Sequence, residues 1–275
     1  MTILHAFLLG IIQGLTEFIP VSSTAHLLIG QKLLGIPSSD AMFSFLVLVQ
    51  IGTIVSLFVY FWKDLVSILM DTVKNLGGLR DFNSLPANAK MGWYIVIATI
   101  PALLAGLLLK DAVEALFRLP LLEAAIRLLA AAILLTLAEW LTKKDRDLDS
   151  MTWLDALVIG LFQIIAVFPG ASRSGSTISG GMFRGLDRPS AARFAFLMSV
   201  PVMLAAGAYE MLDVVHMPGL SEFLPVMAVG FITAAIVGWF AVRWLLQYLA
   251  HHSLYVFSSY CAVVGIFVLI LHFVG

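Results

Sequence analysis

Between residues 13 and 26 the chain sets an amide, a carboxylate, three hydroxyls and an imidazole close together: Gln13, Glu17, Ser22, Ser23, Thr24 and His26. Apolar runs enclose them, Leu8-Leu9-Gly10-Ile11-Ile12 before and Leu27-Leu28-Ile29 after. Polar and ionisable groups are costly in such surroundings, and inside a membrane they tend to line a site or a water-filled cavity. A second stretch has the same character: Pro169-Gly170-Ala171-Ser172-Arg173-Ser174-Gly175-Ser176-Thr177.

Gln13 and Glu17 are four residues apart, so they stack on one face of a helix. Glu17 falls in the last turn before Pro20, the wrong dipole end for a carboxylate unless a cation or metal stands close. A tuned base or a metal ligand suits that placement. Ser22, Ser23 and Thr24 are natural N-caps for a helix beginning near Ala25, and capping accounts for one of the three. The start of that helix offers free backbone N–H groups that favour an anion, and His26 in its first turn is expected to point to the same place. Arg173 is the strongest single signal, a permanent charge whose planar fork suits phosphate oxygens. Gly170 and Gly175 allow close backbone approach, while Ser172, Ser174, Ser176 and Thr177 add donors at another helix start. These residues make an anion cradle around one cation.

The elements that must position them are membrane helices. Of 275 residues, 61% are hydrophobic and 12% charged, with mean hydropathy +1.00, about half the charged fraction of soluble domains. Several apolar runs are long enough to cross a bilayer core of roughly 30 Å. A soluble protein with a buried core is a distant second reading. The net charge of -1 excludes the basic stripe that a nucleic acid would require. The single cysteine, Cys261, excludes an intrachain disulfide and most thiolate metal sites and reads as a small core side chain. The N-terminus lacks a basic region and a small-residue cleavage site, so it reads as mature structure.

In chain order, a short apolar segment over 3–19 is stopped by Pro20, and a second short helix runs to about Leu34. Two half-length helices around a polar break predict a re-entrant hairpin, since irregular backbone at membrane depth needs protein or water to cover it. Residues 42–62 make a full span, 63–90 a long polar connection, and 91–109 and 119–141 two further spans. A second short segment, 153–168, is stopped by Pro169 and followed by the polar stretch and a brief helix to Arg184-Gly185. Spans over 190–212, 222–246 and 254–274 complete an all-α, polytopic architecture of about six full spans and two re-entrant hairpins. Gly10-Ile11-Ile12-Gln13 answers Gly160-Leu161-Phe162-Gln163, Pro20 answers Pro169, and Ile100-Pro101 answers Val200-Pro201. Paired broken helices in two halves are the sequence sign of an inverted repeat, here halves 1–118 and 119–275 of a single transmembrane domain. Loops 63–90 and 142–150 hold seven Lys and Arg against two in 110–118, which places both loops in the cytoplasm.

Other charges read plainly. Glu123 and Arg127 are an i,i+4 pair that satisfies itself near a span end. Lys32, Glu139, Glu210, Asp213 and Arg243 lie where side chains reach water. Arg184, Arg188 and Arg193 fit a solvated turn, and the remaining histidines show no metal-ligand spacing.

The two polar stretches resemble the signatures of the undecaprenyl-diphosphate phosphatase family, integral-membrane enzymes linked to bacitracin resistance. Gln13…Glu17…Pro20-Val21-Ser22-Ser23-Thr24-Ala25-His26 matches one motif, and Pro169-Gly170-Ala171-Ser172-Arg173-Ser174-Gly175 the other. Many relatives carry Glu where this chain has Gln13, which weakens any two-carboxylate metal site. The resemblance implies hydrolysis of a C55 polyprenyl diphosphate to the monophosphate, recycling the lipid carrier for cell-wall synthesis. Catalytic roles then fall on Glu17, Ser23, His26 and Arg173, and substrate contacts on Gln13, Ser22, Thr24, Gly170, Ser172, Ser174, Gly175, Ser176 and Thr177. It also implies dependence on a divalent cation, Mg²⁺ or Ca²⁺, with Glu17 the metal ligand, and no organic cofactor. Expected partners are the polyprenyl diphosphate and membrane lipids, with a homo-oligomer left open. The implied location is the bacterial inner membrane, with the site opening to the periplasmic side.

The nucleophile stays open among Ser23 activated by His26, His26 itself, and water activated by Glu17. Broken helices in two halves also suit a secondary transporter or a flippase of a lipid phosphate. An intramembrane serine protease is a third reading, and it leaves Arg173 without a role.

Overall fold

The structure is a computed structural model, and it describes residues 1–108, 120–166, 172–216 and 219–274. The chain folds into helices α1 (Ile3–Thr16), α2 (Ser23–Leu33), α3 (Asp40–Tyr60), α4 (Trp62–Lys74) and α5 (Ala87–Leu108). There follow α6 (Pro120–Leu141), α7 (Trp153–Ile165), α8 (Arg173–Phe183), α9 (Arg188–Val214), α10 (Leu220–Leu249) and α11 (Tyr255–Val274). Among the described residues, α3, α5, α6, α9, α10 and α11 are long and apolar enough to cross a membrane, whereas α1 and α7 are apolar but short. At 14 and 13 residues the short pair reach about 20 Å by the helix rise, too little for a bilayer core of roughly 30 Å. The proposed boundary between repeat halves, near 118, lies outside the described residues.

Local signals fix where the helices start. Thr2 accepts from the His5 amide at the start of α1, and Ser39 accepts from the Met42 amide at the start of α3. Thr152 and Asp155 form a reciprocal capping box on α7, satisfying donors that a helix start leaves orphaned. The polar connection over 63–90 proves to be mostly helical. It holds α4 and a 3₁₀ segment, Leu76–Ser84, because α4 keeps Ile68 inside while Leu69, Met70 and Val73 face out.

Ion pairs define one end of the molecule. Arg193 binds Asp64 at 2.9 Å, Arg146 and Arg184 bind Asp155 at 2.7 and 2.6 Å, and Arg188 binds Glu139. They gather the starts of α4, α7 and α9 and the end of α6. Glu139 also pairs with Lys144 at 3.1 Å and accepts from the Leu254 amide at 3.1 Å. These findings correct two sequence expectations. Glu139 is 5% exposed and bound within protein, and Glu210 is 8% exposed and accepts from Ser44 Oγ at 2.7 Å; the arginines at 184, 188 and 193 keep part of their side chains in contact with solvent while paired. In a chain with so few charges at lipid depth, pairing is cheaper than reaching for water. Outside the spans, the Asp155 carboxylate holds the Arg146 guanidinium above its usual pKa range.

Because α3 runs towards this basic end, the α1–α2 hairpin enters from the opposite end, and α7–α8 enters from the basic end. Their tips meet inside. α1 packs along α10 and α7 along α5, α3 along α10 and α9 along α5, while α6 pairs with α11 and touches both α2 and α8. Without a hydrophobic force between helices in lipid, such packing relies on close backbone approach at small residues. A Cβ at Gly10 would stand 2.7 Å from the Gly230 carbonyl oxygen and 2.8 Å from Thr233 Cβ, whereas one at Gly106 would meet nothing within 4 Å.

Gly10→Val is therefore expected to lower the thermal unfolding midpoint in detergent, at a cost of about 2 kcal/mol or more from overpacking. Gly106→Ala is expected to leave it unchanged or raise it slightly, by less than about 1 kcal/mol. Equal midpoints for the two variants would contradict the α1–α10 contact.

Candidate active site

The first tip begins where α1 gives out at Glu17, its C-terminal flanking residue. Gln13 Nε2, one turn earlier, donates to Glu17 Oε2 at 2.6 Å, and Ser23 Oγ donates to the same oxygen at 2.6 Å. Arg173 Nη2 binds the other oxygen, Oε1, as an ion pair between the two hairpins. Glu17 and Gln13 are 5% and 0% exposed. A carboxylate at a helix C-terminus in lipid needs a cation, and the second hairpin delivers it.

The hydroxyls around α2 do not cap it as the sequence suggested. The helix starts at Ser23, and its flanking residue Ser22 makes no side-chain cap bond and takes φ 67°, ψ 89°. A non-glycine residue at positive φ stores backbone strain of about 1–3 kcal/mol. Ser23, the next residue, is bonded back to Glu17, one of the contacts that sustain the turn. On the second tip, by contrast, Ser172 is a regular N-cap that accepts from the Gly175 amide at 3.1 Å. Ser174 Oγ lies 3.2 Å from Ser172 Oγ and donates to the Ile19 carbonyl at 3.5 Å, tying the tips a second time. A Cβ on Gly175 would come 3.1 Å from Ser172 Cβ and 3.7 Å from Pro20 Cβ, so the tight approach at this glycine is with its own N-cap, and the other tip lies at ordinary van der Waals distance. Gly170 lies outside the described residues.

A cavity of about 210 Å³ opens between the tips, lined by Glu17, Ser22, Ser23, Thr24, Ser172, Arg173 and Ser174. Of the predicted residues, these are the ones the structure brings together around one space. Ser176 and Thr177 are turned inwards behind α8. Ser176 is 0% exposed, and Thr177 donates to the Arg173 carbonyl at 2.8 Å, as expected of a helix interior hydroxyl.

His26 does not join the carboxylate. Its Nδ1 lies 2.9 Å from the Ser22 carbonyl oxygen, which only accepts, so Nδ1 carries the hydrogen. Nε2 of the neutral ring then accepts from the Tyr260 hydroxyl of α11 at 2.8 Å. The imidazole therefore bridges the Ser22 carbonyl at the start of α2 and the Tyr260 hydroxyl of α11. Next to Tyr260, buried Cys261 packs its sulfur 3.9 Å from the Pro20 carbonyl.

Sequence reasoning missed Gln50, Arg127, Gln163 and Tyr260. The first three line the cavity, and the amide nitrogen and oxygen of Gln163, 2% exposed, have no hydrogen-bond partner among the described residues. The correspondence of Gln163 with Gln13 was the available signal. Glu123 and Arg127 lie near the start of α6 as expected, and both are buried, with Arg127 on the cavity wall.

Glu17 is the one carboxylate in the cavity lining, and among the described residues no three His, Cys, Asp or Glu gather to hold a metal. Both Glu17 oxygens are engaged by protein groups. This donor set does not make an all-protein cage. It fits a cation such as Mg²⁺ only where a ligand's phosphate oxygens complete the shell.

The family model described as bacitracin resistance protein BacA matches residues 6–267. Among curated relatives, an undecaprenyl-diphosphatase of Chloroherpeton thalassium is 40% identical over 98% of this chain and 96% of its own length. One of Mycobacterium marinum is 42% identical over 96% of this chain and 92% of its own. One of Syntrophobacter fumaroxidans is 36% identical, covering 96% and 95%.

If the tips depend on one ion pair, Glu17→Gln and Arg173→Gln will each strand a buried charge and destabilise the protein. The double variant will lose less than the sum, with a coupling of about 1–3 kcal/mol in a double-mutant cycle read by detergent-phase unfolding. Additive losses would place the two groups apart.

Proposed function

The chain belongs to the bacitracin resistance protein BacA family, and on that premise we propose that it hydrolyses undecaprenyl diphosphate to the monophosphate and inorganic phosphate. It is a multi-pass membrane enzyme, and its reaction renews the lipid carrier of peptidoglycan synthesis and so confers resistance to bacitracin. The observation that carries this reading is the shared carboxylate: Glu17 binds Arg173 from one hairpin and Ser23 from the other, on the wall of one cavity.

Phosphoryl transfer asks chiefly for positioning and charge stabilisation. In the reading favoured by this geometry, Arg173 turns its fork from Glu17 to the diphosphate, and the start of α8 adds backbone donors. Glu17 then takes the proton of the Ser23 hydroxyl that already donates to it. The Ser23 oxygen attacks the terminal phosphorus, the anhydride P–O bond breaks, and the polyprenyl monophosphate leaves with the electron pair and takes the proton from Glu17. Water then gives a proton to the restored Glu17 carboxylate and attacks the phosphoserine; the Ser23 O–P bond breaks, inorganic phosphate leaves, and Glu17 returns the proton to the Ser23 oxygen. His26, fixed between Ser22 and Tyr260, enters as the group that holds the Ser22–Ser23 turn. A divalent cation, Mg²⁺ or Ca²⁺, would be held by the diphosphate's own oxygens with Glu17 and would supply further charge neutralisation.

We also assign the protein to the bacterial inner membrane with the cavity nearer the outer face. The seven basic residues of loops 63–90 and 142–150 favour a cytoplasmic position for that end. Ala102 and Arg127 lie about 20 Å along α5 and α6 from it. The exchange of neighbours between α1 with α10 and α7 with α5 supports repeat halves of opposite topology. Transporters share such architecture, and phosphate release in detergent, where no compartments exist, separates the enzyme from a carrier.

Phosphate release from undecaprenyl diphosphate is expected to fall at least about 10³-fold in Glu17→Ala, Ser23→Ala and Arg173→Ala. Tyr260→Phe is expected to lose about 2–10-fold, the value of one hydrogen bond. Rapid quench with a labelled terminal phosphate should trap label on Ser23. Label on His26, or no covalent species on any sampled timescale, would replace this mechanism. Chelation of divalent cations should slow wild-type turnover; unchanged turnover would remove the cation from the account.

A further inference from the structure

Helix α6 passes between the two hairpins, packed against α2 and α8, and two turns from its start it carries Arg127. This residue is 4% exposed and lines the same cavity as Glu17, Ser23 and Arg173. We propose that Arg127 is a second guanidinium ligand of the diphosphate and sets the preference of the site for a diphosphate over a monophosphate. The proposal rests on the hydrolase reading above for the identity of the ligand.

Three observations support it. The charged groups of the cavity lining are Glu17, Arg127 and Arg173. Among these lining groups Glu17 offsets one of the two cations, and Arg127 is offset by Glu123 outside the lining; a diphosphate brings more than one negative charge into a site where unmatched charge is costly, so both guanidinium groups have a counter-ion to meet there. Next, Arg173 Nη1 and Gln163 Nε2, from two residues of the lining, are buried donors with no acceptor among the described residues. Donors left open in this way point to a ligand rich in acceptor oxygens. Finally, the Arg173 fork and the hydroxyls of Ser172 and Ser174 provide contacts for one tetrahedral phosphate, and the other phosphate of the same molecule needs its own cation from a different element. Arg127 arrives from α6 to provide it.

Glu123, one turn earlier on α6, is 6% exposed and does not line the cavity. It balances Arg127 from behind. A buried ion pair with no ligand to serve is commonly matched or bettered in stability by apolar side chains, so a pair whose cation reaches a ligand cavity is better explained by recognition than by stability.

The test uses purified full-length protein in detergent. It follows phosphate release from undecaprenyl diphosphate and inhibition by methylenediphosphonate and by inorganic phosphate. Arg127→Gln is expected to raise KM and the methylenediphosphonate inhibition constant by about tenfold or more. Inhibition by inorganic phosphate should stay within about twofold, and kcat within about threefold. Arg127→Lys should recover part of the diphosphonate affinity, and Glu123→Gln should hold or tighten it. Unchanged KM and diphosphonate inhibition in Arg127→Gln would overturn the proposal. So would parallel loss of both inhibitors in Arg127→Gln and Glu123→Gln, the mark of a structural pair. If Arg127→Gln does not fold, Arg127→Lys decides: a selective loss of diphosphonate supports the role, and equal loss of both ligands refutes it. Should wild-type protein release no phosphate, the hydrolase reading falls by itself. Thermal stabilisation by methylenediphosphonate, compared between wild type and Arg127→Lys, then still decides whether Arg127 binds it.

Discussion

A carboxylate at the end of a broken helix, inside lipid, has to find a cation, and in this protein the cation comes from another broken helix in the other half of the chain. The bond between Glu17 and Arg173 is therefore a site and a fastening at once. Neither hairpin spans the bilayer, so each tip would carry an uncompensated charge to membrane depth without the other. The six long helices enclose the place where these charges meet, and the ion-pair network at the basic end anchors the starts of α4, α7 and α9.

The same constraint shapes the chemistry. In the proposed reaction the diphosphate draws the Arg173 guanidinium from Glu17, which takes the Ser23 proton. The positive-φ turn at Ser22 leaves Ser23 Oγ bonded to that carboxylate. A polyprenyl tail can stay in lipid meanwhile, avoiding a loss of about 0.8 kcal/mol for each CH₂ that would otherwise enter water.

Much of this was legible in the residues. Hydropathy and the prolines at 20 and 169 marked two short helices among six long ones, and the bounds differ by a few residues. Polar clusters in apolar surroundings marked the tips. What could not be read was direction across the fold. The imidazole of His26 shares a helix turn with the site but faces Tyr260, 234 positions away, and no local pattern encodes that partner. Arg127 looked satisfied because Glu123 stands at i−4, and only the packing of α6 between α2 and α8 turns it to the cavity. The capping motif misled for a similar reason: Ser23 is held by Glu17, and Ser22 is bent out of cap geometry to permit it.

The central claim is that the two tips jointly hold a diphosphate through Arg173. Solid-state NMR dephasing between ³¹P of bound methylenediphosphonate and ¹⁵N of the arginine side chains tests it directly, with Arg173 identified by its loss in Arg173→Lys. The account predicts a phosphorus–nitrogen distance of about 4 Å, as an N–H···O contact near 2.8 Å requires. A saturating analogue that leaves the Arg173 guanidinium undephased would contradict it.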